Sequence, residues 1–423
     1  MDIGAVFHVI LTAVVFVTML SLLVAAHEYG HYLFARLFGM GVEEFAIGFG
    51  RKKVVTWMRR SYDVDSVDGP AGETNGTTYM TDGSSALQVD PSPTPSSTKL
   101  TLRETTDFTI RPWPLGGFVR IKGMVPEEDG SETKVPGGFY SKAPWKRFFV
   151  LLAGPVFSVL AGVIILTGVH WSVGMQKPLS DPVLGPMSSD GAAAKAGLKP
   201  GDRILSVNGE PVSKFYDIVR GVLDRSGEKV VFEYERGGKT AKATVVPVKR
   251  YDPVLAEDLI STLPAREAGR IGIQPDSKLQ NVSFSEAATE ALMTPYVLVK
   301  RTVAMFAKPS EIKDNVGGPL SIVQATSDAT KKGLDFVVWL AAMLSISVGI
   351  FNLFPIPPLD GGQMLVAIAE MLRGGKRLSI KVQGAIAAVG FTLIIAMFVS
   401  IMYIDVGRLT NPQPSKVLQK QDK

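Results

Sequence analysis

Two histidines four residues apart flank a glutamate in His27-Glu28-Tyr29-Gly30-His31. On an α-helix this spacing puts both imidazoles on one face, within reach of a single zinc ion. Glu28, next to the first histidine, is placed to take a proton from an attacking water. The chain contains no cysteine, so a metal site must be built from histidine, carboxylate and water, a donor set that suits catalytic zinc. Only four histidines occur in 423 residues, and two of them make this pair. His8 and His170 lie at the ends of apolar runs and read as interfacial residues. A short HExxH string also arises in helices that bind nothing, so a purely structural role is the alternative. The chemistry the pair points to is metal-assisted peptide hydrolysis.

Two histidines do not complete a catalytic zinc site, which usually has three protein ligands plus water. No third histidine follows His31 at a spacing of six. Glu43 and Glu44 are near in sequence but sit in a basic loop. The better candidate is Asp360 in Asn352-Leu353-Phe354-Pro355-Ile356-Pro357-Pro358-Leu359-Asp360-Gly361-Gly362. That string closes an apolar run with three prolines and two glycines, so a helix must break there. An acid on broken backbone at membrane depth is tolerated only beside protein or a water-lined cavity. The plainer reading is a solvated loop aspartate.

The elements that must position these residues are apolar. Four blocks are long enough to cross a bilayer: Val6–Ala26, Phe148–Val169, Phe336–Phe354 and Gly384–Ile404. The first runs straight into the histidine pair and lacks the basic start of a signal peptide. Ionisable side chains at such a depth are costly and are functional by default. Lys and Arg flank the first and second blocks at Arg36, Arg51, Lys52, Lys53, Lys142, Lys146 and Arg147. Others lie between the third and fourth at Arg373, Lys376, Arg377 and Lys381. The positive-inside rule puts both loops in the cytoplasm, and the N-terminus, the stretch between spans two and three, and the tail from Asp405 outside. The net charge of +5 carries no nucleic-acid signature.

Between the spans the composition changes. Residues 61–104 are rich in Asp, Gly, Ser, Thr and Pro and read as a disordered cytoplasmic insert. Its flanks, Phe45–Gly50 and Phe108–Val119, are short, apolar and glycine-rich, with strand character. They are either ordinary hairpins under the helices or an exposed edge that could pair with an extended peptide; Gly48, Gly50, Gly116 and Gly117 mark that edge. Residues 173–250 read as a compact domain with strands, one helix at Lys214–Leu223 and a hairpin turn at Asn208-Gly209. Phe284–Ala307 has apolar residues at helical spacing, either an amphipathic helix on the outer membrane surface or a helix packed on the preceding domain.

Taken together, HEYGH in the first span, one PDZ-like domain and NLFPIPPLDGG at the end of the third resemble the bacterial site-2 proteases, intramembrane zinc metalloproteases of family M50. PLGGFVRIKG from Pro114, LLAGPVFSVL opening span two and GGPLSIVQ from Gly317 agree with this. The resemblance implies an α-helical polytopic membrane protein of four transmembrane helices, with an inserted extracytoplasmic β-rich PDZ domain and a membrane-associated β-hairpin. It implies zinc held by His27, His31 and Asp360, Glu28 as catalytic acid/base, and Asn352 holding substrate or the developing oxyanion. The implied setting is the bacterial inner membrane, with the active site towards the cytoplasm. The implied substrates are single-span membrane proteins of the anti-sigma-factor type, trimmed first by a site-1 type protease and filtered by the PDZ domain. The insert at 61–104 interrupts the segment that holds the family's hairpin.

The domain organisation that follows is a first span with HEYGH and the start of the hairpin region (1–60), the insert (61–104), hairpin and second span (105–172), and the PDZ domain (173–250). A linker with the amphipathic helix (251–335), spans three and four (336–404) and a tail (405–423) complete it. Two other function classes compete. A catalytically idle adaptor would bind peptides through its PDZ domain, but such a protein would be expected to lose one of His27, Glu28, His31 and Asp360. A zinc transporter needs several polar membrane residues forming a path, and only one cluster is present.

Overall fold

The structure is a computed structural model of the chain and describes residues 3–65, 86–87, 101–125, 131–188, 191–251, 267–306 and 317–410. Its helices in chain order are α1 (Ile3–Leu37), α2 (Pro144–Val173), α3 (Ala192–Lys195), α4 (Phe215–Leu223), α5 (Phe284–Phe306), α6 (Pro319–Lys332), α7 (Leu334–Asn352), α8 (Asp360–Leu372) and α9 (Ile380–Thr410). Contacts divide the chain into two compact units, Met1–Leu166 with Gly317–Asp405, and Thr167–Val316 with Val406–Lys423.

Four helices among the described residues are long and apolar enough to cross a membrane: Gly4–Leu37, Pro144–Val173, Leu334–Asn352 and Ile380–Gly407. Their apolar side chains are widely exposed, as at Phe7, Ile10, Leu22, Phe391 and Leu393. Water-soluble surfaces rarely carry apolar areas of that extent, whereas lipid covers them at no cost. The first apolar block does not end its helix at Ala26. No proline interrupts it, and α1 continues through HEYGH to Leu37. Its 35 residues reach about 52 Å at 1.5 Å each, well beyond a hydrocarbon core of about 30 Å. Gly39 ends it with φ 66°, while the amides of Gly39 and Met40 return to the carbonyls of Arg36 and Ala35.

In the first unit a sheet follows α1: β1 (Val42–Phe49), β2 (Val55–Asp65), β3 (Ala86–Leu87), β4 (Thr101–Ile110) and β5 (Trp113–Ile121), in the order β2-β4-β1-β5 with β3 on β4. This corrects two expectations. The flanks of the insert do not form a simple hairpin: β1 lies parallel to β4, with Phe45 opposite Phe108, and antiparallel to β5, with Phe45 opposite Val119. Gly48 therefore belongs to a strand with neighbours on both sides and not to an edge, and Gly50 lies just beyond that strand. The insert is also shorter than expected, because β2 and β4 pair as far as Asp65 opposite Thr101. The rest of 61–104, apart from Ala86–Leu87, lies outside the described residues.

The sheet rests on the second half of α1 through ring contacts of Tyr32 with Phe45 and Phe108, and Met40, Val42 and Val150 complete a buried cluster. The helices approach closely where glycines face them. A β-carbon on Gly30 would lie 2.3 Å from the Ala153 carbonyl of α2, and one on Gly349 of α7 would lie 2.6 Å from that of Pro155. Small residues of this kind let membrane helices pack backbone to backbone. α6 sits against α1, where Ser327 Oγ is 3.1 Å from His8 Nε2. The amides of Gly318, Leu320 and Ser321 at the start of α6 donate to the Asp405 carboxylate of α9.

The second unit contains β6 (Met175–Pro178), β7 (Leu184–Met187), β8 (Arg203–Val207), β9 (Glu210–Pro211), β10 (Val230–Arg236), β11 (Lys239–Val245), β12 (Val248–Tyr251), β13 (Glu267–Arg270), β14 (Ile273–Pro275) and β15 (Ser277–Gln280). Its main sheet has the order β11-β10-β8-β9. Asn208-Gly209 forms the expected turn with both residues at positive φ. α4 buries Phe215, Ile218 and Val222 on one face against this core. The domain does not stop at 250: β14 pairs with β7, β15 pairs with β6, and Ile271 is part of the buried core. In α5, Ala287 and Ala291 are buried while Leu292, Tyr296, Val299 and Val303 are exposed, and Phe284 meets the Trp171 ring edge to face.

Candidate metal centre

Three residues of HEYGH and NLFPIPPLDGG, His27, His31 and Asp360, are the expected metal ligands, and the structure brings their donor atoms together across 333 residues of chain. His27 and His31 lie on one face of α1, ring centroids 4.9 Å apart. Asp360 opens α8, where the positive end of the helix dipole favours a carboxylate. The proline-rich turn before it is held by glycines that leave no room for a side chain. A β-carbon on Gly361 would lie 2.3 Å from the Phe354 carbonyl, and one on Gly362 2.3 Å from Pro357 N.

Asp360 Oδ2 is 3.0 Å from His27 Nε2 and 3.4 Å from His31 Nε2, and the two Nε2 atoms are 3.2 Å apart. Three atoms at these separations match one face of a zinc tetrahedron: ligands about 2.0–2.1 Å from the metal lie about 3.3 Å from one another. The other ring nitrogens sharpen the argument. His31 Nδ1 is 2.8 Å from the Val150 carbonyl, which can only accept, so Nδ1 carries the proton and a neutral ring presents Nε2 as an acceptor. His27 Nδ1 is 2.9 Å from Ser158 Oγ. Two imidazole nitrogens and a carboxylate oxygen converging on one point can hold a cation between them, and the residues present fit zinc.

Glu28 is half-buried between the histidines and β5. Its carboxylate meets the backbone amide of Val119, and a β-carbon on Gly117 would lie 3.7 Å from Glu28 Cγ and 2.7 Å from the Ala46 carbonyl. Gly117 thus lies beside the proposed base. β5 is the end strand of the sheet among the described residues, so the edge expectation holds a place for Gly116 and Gly117 only. The remaining glycines have local reasons: at Gly48, φ 91°, a side chain would meet the Trp113 carbonyl, and at Gly50, φ 130°, the Pro112 ring. Gly116, φ 114°, faces the Phe49 ring. Asn352 ends α7, and its amide donates back to the Val348 carbonyl at 3.0 Å rather than to the triad.

Beneath the sheet Glu44 accepts from Thr109 Oγ1 at 2.6 Å and from Arg111 Nη2 at 2.6 and 2.7 Å, and Arg111 also donates to the Gly50 carbonyl. Burial alone would raise the Glu44 pKa, but the hydrogen bonds from Arg111 and Thr109 outweigh it and hold the carboxyl below its ordinary value. The pair fixes the end of β1 against β4 and thereby seats β5 beside α1. Reasoning from sequence missed Ser158 and Val150, the two groups that orient the histidines. Ser158 lies in LLAGPVFSVL, a string without a metal-ligand pattern, so only the fold reveals its partner.

With this geometry in place, comparison with known proteins is direct. The profile of Peptidase family M50 matches residues 15–64 and 94–397. The chain belongs to that family, the site-2 proteases, and is a zinc metalloprotease with zinc as its cofactor. Among its relatives is a Brucella suis protein named "Putative zinc metalloprotease", 29% identical over 415 residues, covering 93% of this chain and 94% of its own. The Enterococcus faecalis "Probable protease eep" is 28% identical over 432 residues, 94% and 99% of the two chains. A Helicobacter pylori "Putative zinc metalloprotease" is 30% identical over 407 residues, again 94% and 99%.

Proposed function

We propose that this chain hydrolyses peptide bonds within or near the transmembrane helix of single-span membrane proteins, with its active site in a helix that itself crosses the bilayer. The observation that carries this reading is the position of HEYGH inside an apolar helix of 35 residues, with its histidines facing Asp360. His27, His31 and Asp360 would hold the metal; the Val150 carbonyl keeps the proton of His31 on Nδ1, and Ser158 orients the His27 ring. When bound, zinc polarises the attacking water and the scissile carbonyl.

Glu28 accepts a proton from that water and returns it to the leaving amine. A helical substrate hides its carbonyls in its own hydrogen bonds, so it must unwind before attack. The β5 edge at Gly116 and Gly117 would hold the unwound segment extended by backbone pairing, next to Glu28. Asn352 would turn its amide from Val348 towards the developing oxyanion. Positive charge around Arg51–Lys53, Lys146–Arg147 and Arg373–Lys381 supports a cytoplasmic opening for water and an inner-membrane setting.

The domain from 174 to about 280 is read as a PDZ domain on the outer side, acting as a size filter that admits substrates trimmed by an upstream site-1 type protease. Its GLKPGD turn, its sheet and the packed helix α4 support that reading. α5, with its exposed Leu292, Tyr296, Val299 and Val303, would lie on the outer membrane surface. Anti-sigma factors are the example substrate class. The test is reconstitution in proteoliposomes with a single-span substrate, followed by mass analysis of the products. A cut within or beside the span supports the proposal; cuts confined to soluble segments would refute it.

A further inference from the structure

Away from the metal centre, one ion pair joins two helices of the first unit with both partners buried. Arg147 Nη2 in the first turn of α2 is 2.6 Å from Glu370 Oε2 in the last turn of α8. The Glu370 side chain has no exposure and that of Arg147 is 6% exposed. The second carboxylate oxygen accepts from the Leu378 amide at 3.1 Å, which ties in the turn that leads to α9. The guanidinium stacks over Tyr140 at 5.1 Å, and Arg377 covers the same ring at 3.9 Å.

Buried ion pairs are poor devices for stability, because desolvation offsets the attraction and a packed apolar pair often does as well. Their better-attested use is to fix register. α8 is the helix that begins with Asp360, and Glu370 lies ten residues on, about 15 Å along the axis. A helix held only at its first residue can rotate and slide, and one residue of slip turns a side chain by about 100°. The same turn of α2 that carries Arg147 carries Val150, whose carbonyl orients His31. One turn of α2 therefore fixes both a histidine ligand and the far end of the helix that supplies the carboxylate ligand.

We propose that Arg147 and Glu370 are positioning residues for zinc: by setting the rotation and register of α8 they aim Asp360 at His27 and His31. This rests on the metal-site reading above. It makes a demand that a merely stabilising pair does not, namely that metal affinity falls even where the fold is kept.

The experiment measures zinc affinity by chelator competition on the full chain in detergent, together with the unfolding temperature of the metal-free protein. Variants are Glu370→Gln, Arg147→Lys, the apolar double Arg147→Met with Glu370→Leu, and His31→Ala as control. The expected result is a zinc affinity about tenfold or more weaker in Glu370→Gln and in the double variant. The metal-free unfolding temperature of the double variant stays near wild type, and Arg147→Lys falls between. Wild-type affinity in the double variant would overturn the proposal. So would affinity losses that merely track a matching loss of metal-free stability in every variant, including failure to fold. Wild-type affinity in His31→Ala would overturn the site reading instead.

Discussion

Ser158 Oγ in α2 lies 2.9 Å from His27 Nδ1, and the Ser158 carbonyl accepts from Ser345 Oγ of α7 at 2.7 Å. One residue thus links a ligand on α1 to the third membrane helix, and does so from a buried position. Removing its hydroxyl leaves the His27 ring without the partner that orients it. Ser158→Ala is expected to weaken zinc binding by about 10–100-fold, measured by competition with a chelator, with little change in the fold.

Gly154 of α2 faces the His31 ring directly. A β-carbon there would stand 2.2 Å from His31 Nε2, the ring nitrogen 3.4 Å from Asp360 Oδ2, and the ring cannot move aside without leaving the Val150 carbonyl. Gly154→Ala should therefore abolish zinc retention and cleavage together, as read from metal content after purification and from product formation.

The Glu44–Arg111 pair gives the sheet a pH dependence of known sign. A carboxyl held below its ordinary pKa in the folded state contributes stability that is complete above the unfolded value of about 4.3 and is lost as pH falls through the lowered folded value. Acid unfolding should therefore begin below about pH 4.3. Glu44→Gln should flatten that limb and lower stability at neutral pH by about 3–5 kcal/mol, because it leaves the Arg111 charge buried without its partner.

The filter role proposed for the domain at 174–280 is open to a direct test. Deleting residues 174–280 should let the enzyme cleave an untrimmed, full-length single-span substrate that the intact protein refuses. Continued refusal by a deletion variant that still cleaves the trimmed substrate would sink the filter.

The chemistry was legible where it was local. HEYGH declares its geometry through a four-residue spacing, and NLFPIPPLDGG through prolines that force a helix to break beside an acid. What the sequence could not show was tertiary. Ser158 and Val150 lie 131 and 119 residues from the histidines they orient, and neither has a side chain or pattern that marks a ligand partner. The strand character of Phe45–Phe49 was visible, but its parallel neighbour β4 lies across the insert, so that an interior strand read as an edge. The domain that follows α2 looked complete at 250 because β14 and β15 are short and barely alternate, and only their pairing with β7 and β6 reveals them.

In the proposed mechanism Glu28 moves the proton at a zinc centre built by His27, His31 and Asp360. It is tested most directly by purified wild type and Glu28→Gln, assayed on one single-span substrate with zinc measured on both. The expected result is about one zinc in each protein and cleavage by the wild type, lowered by about 10²–10⁴-fold or more in the variant. Equal cleavage by the two proteins, with equal zinc, would contradict it.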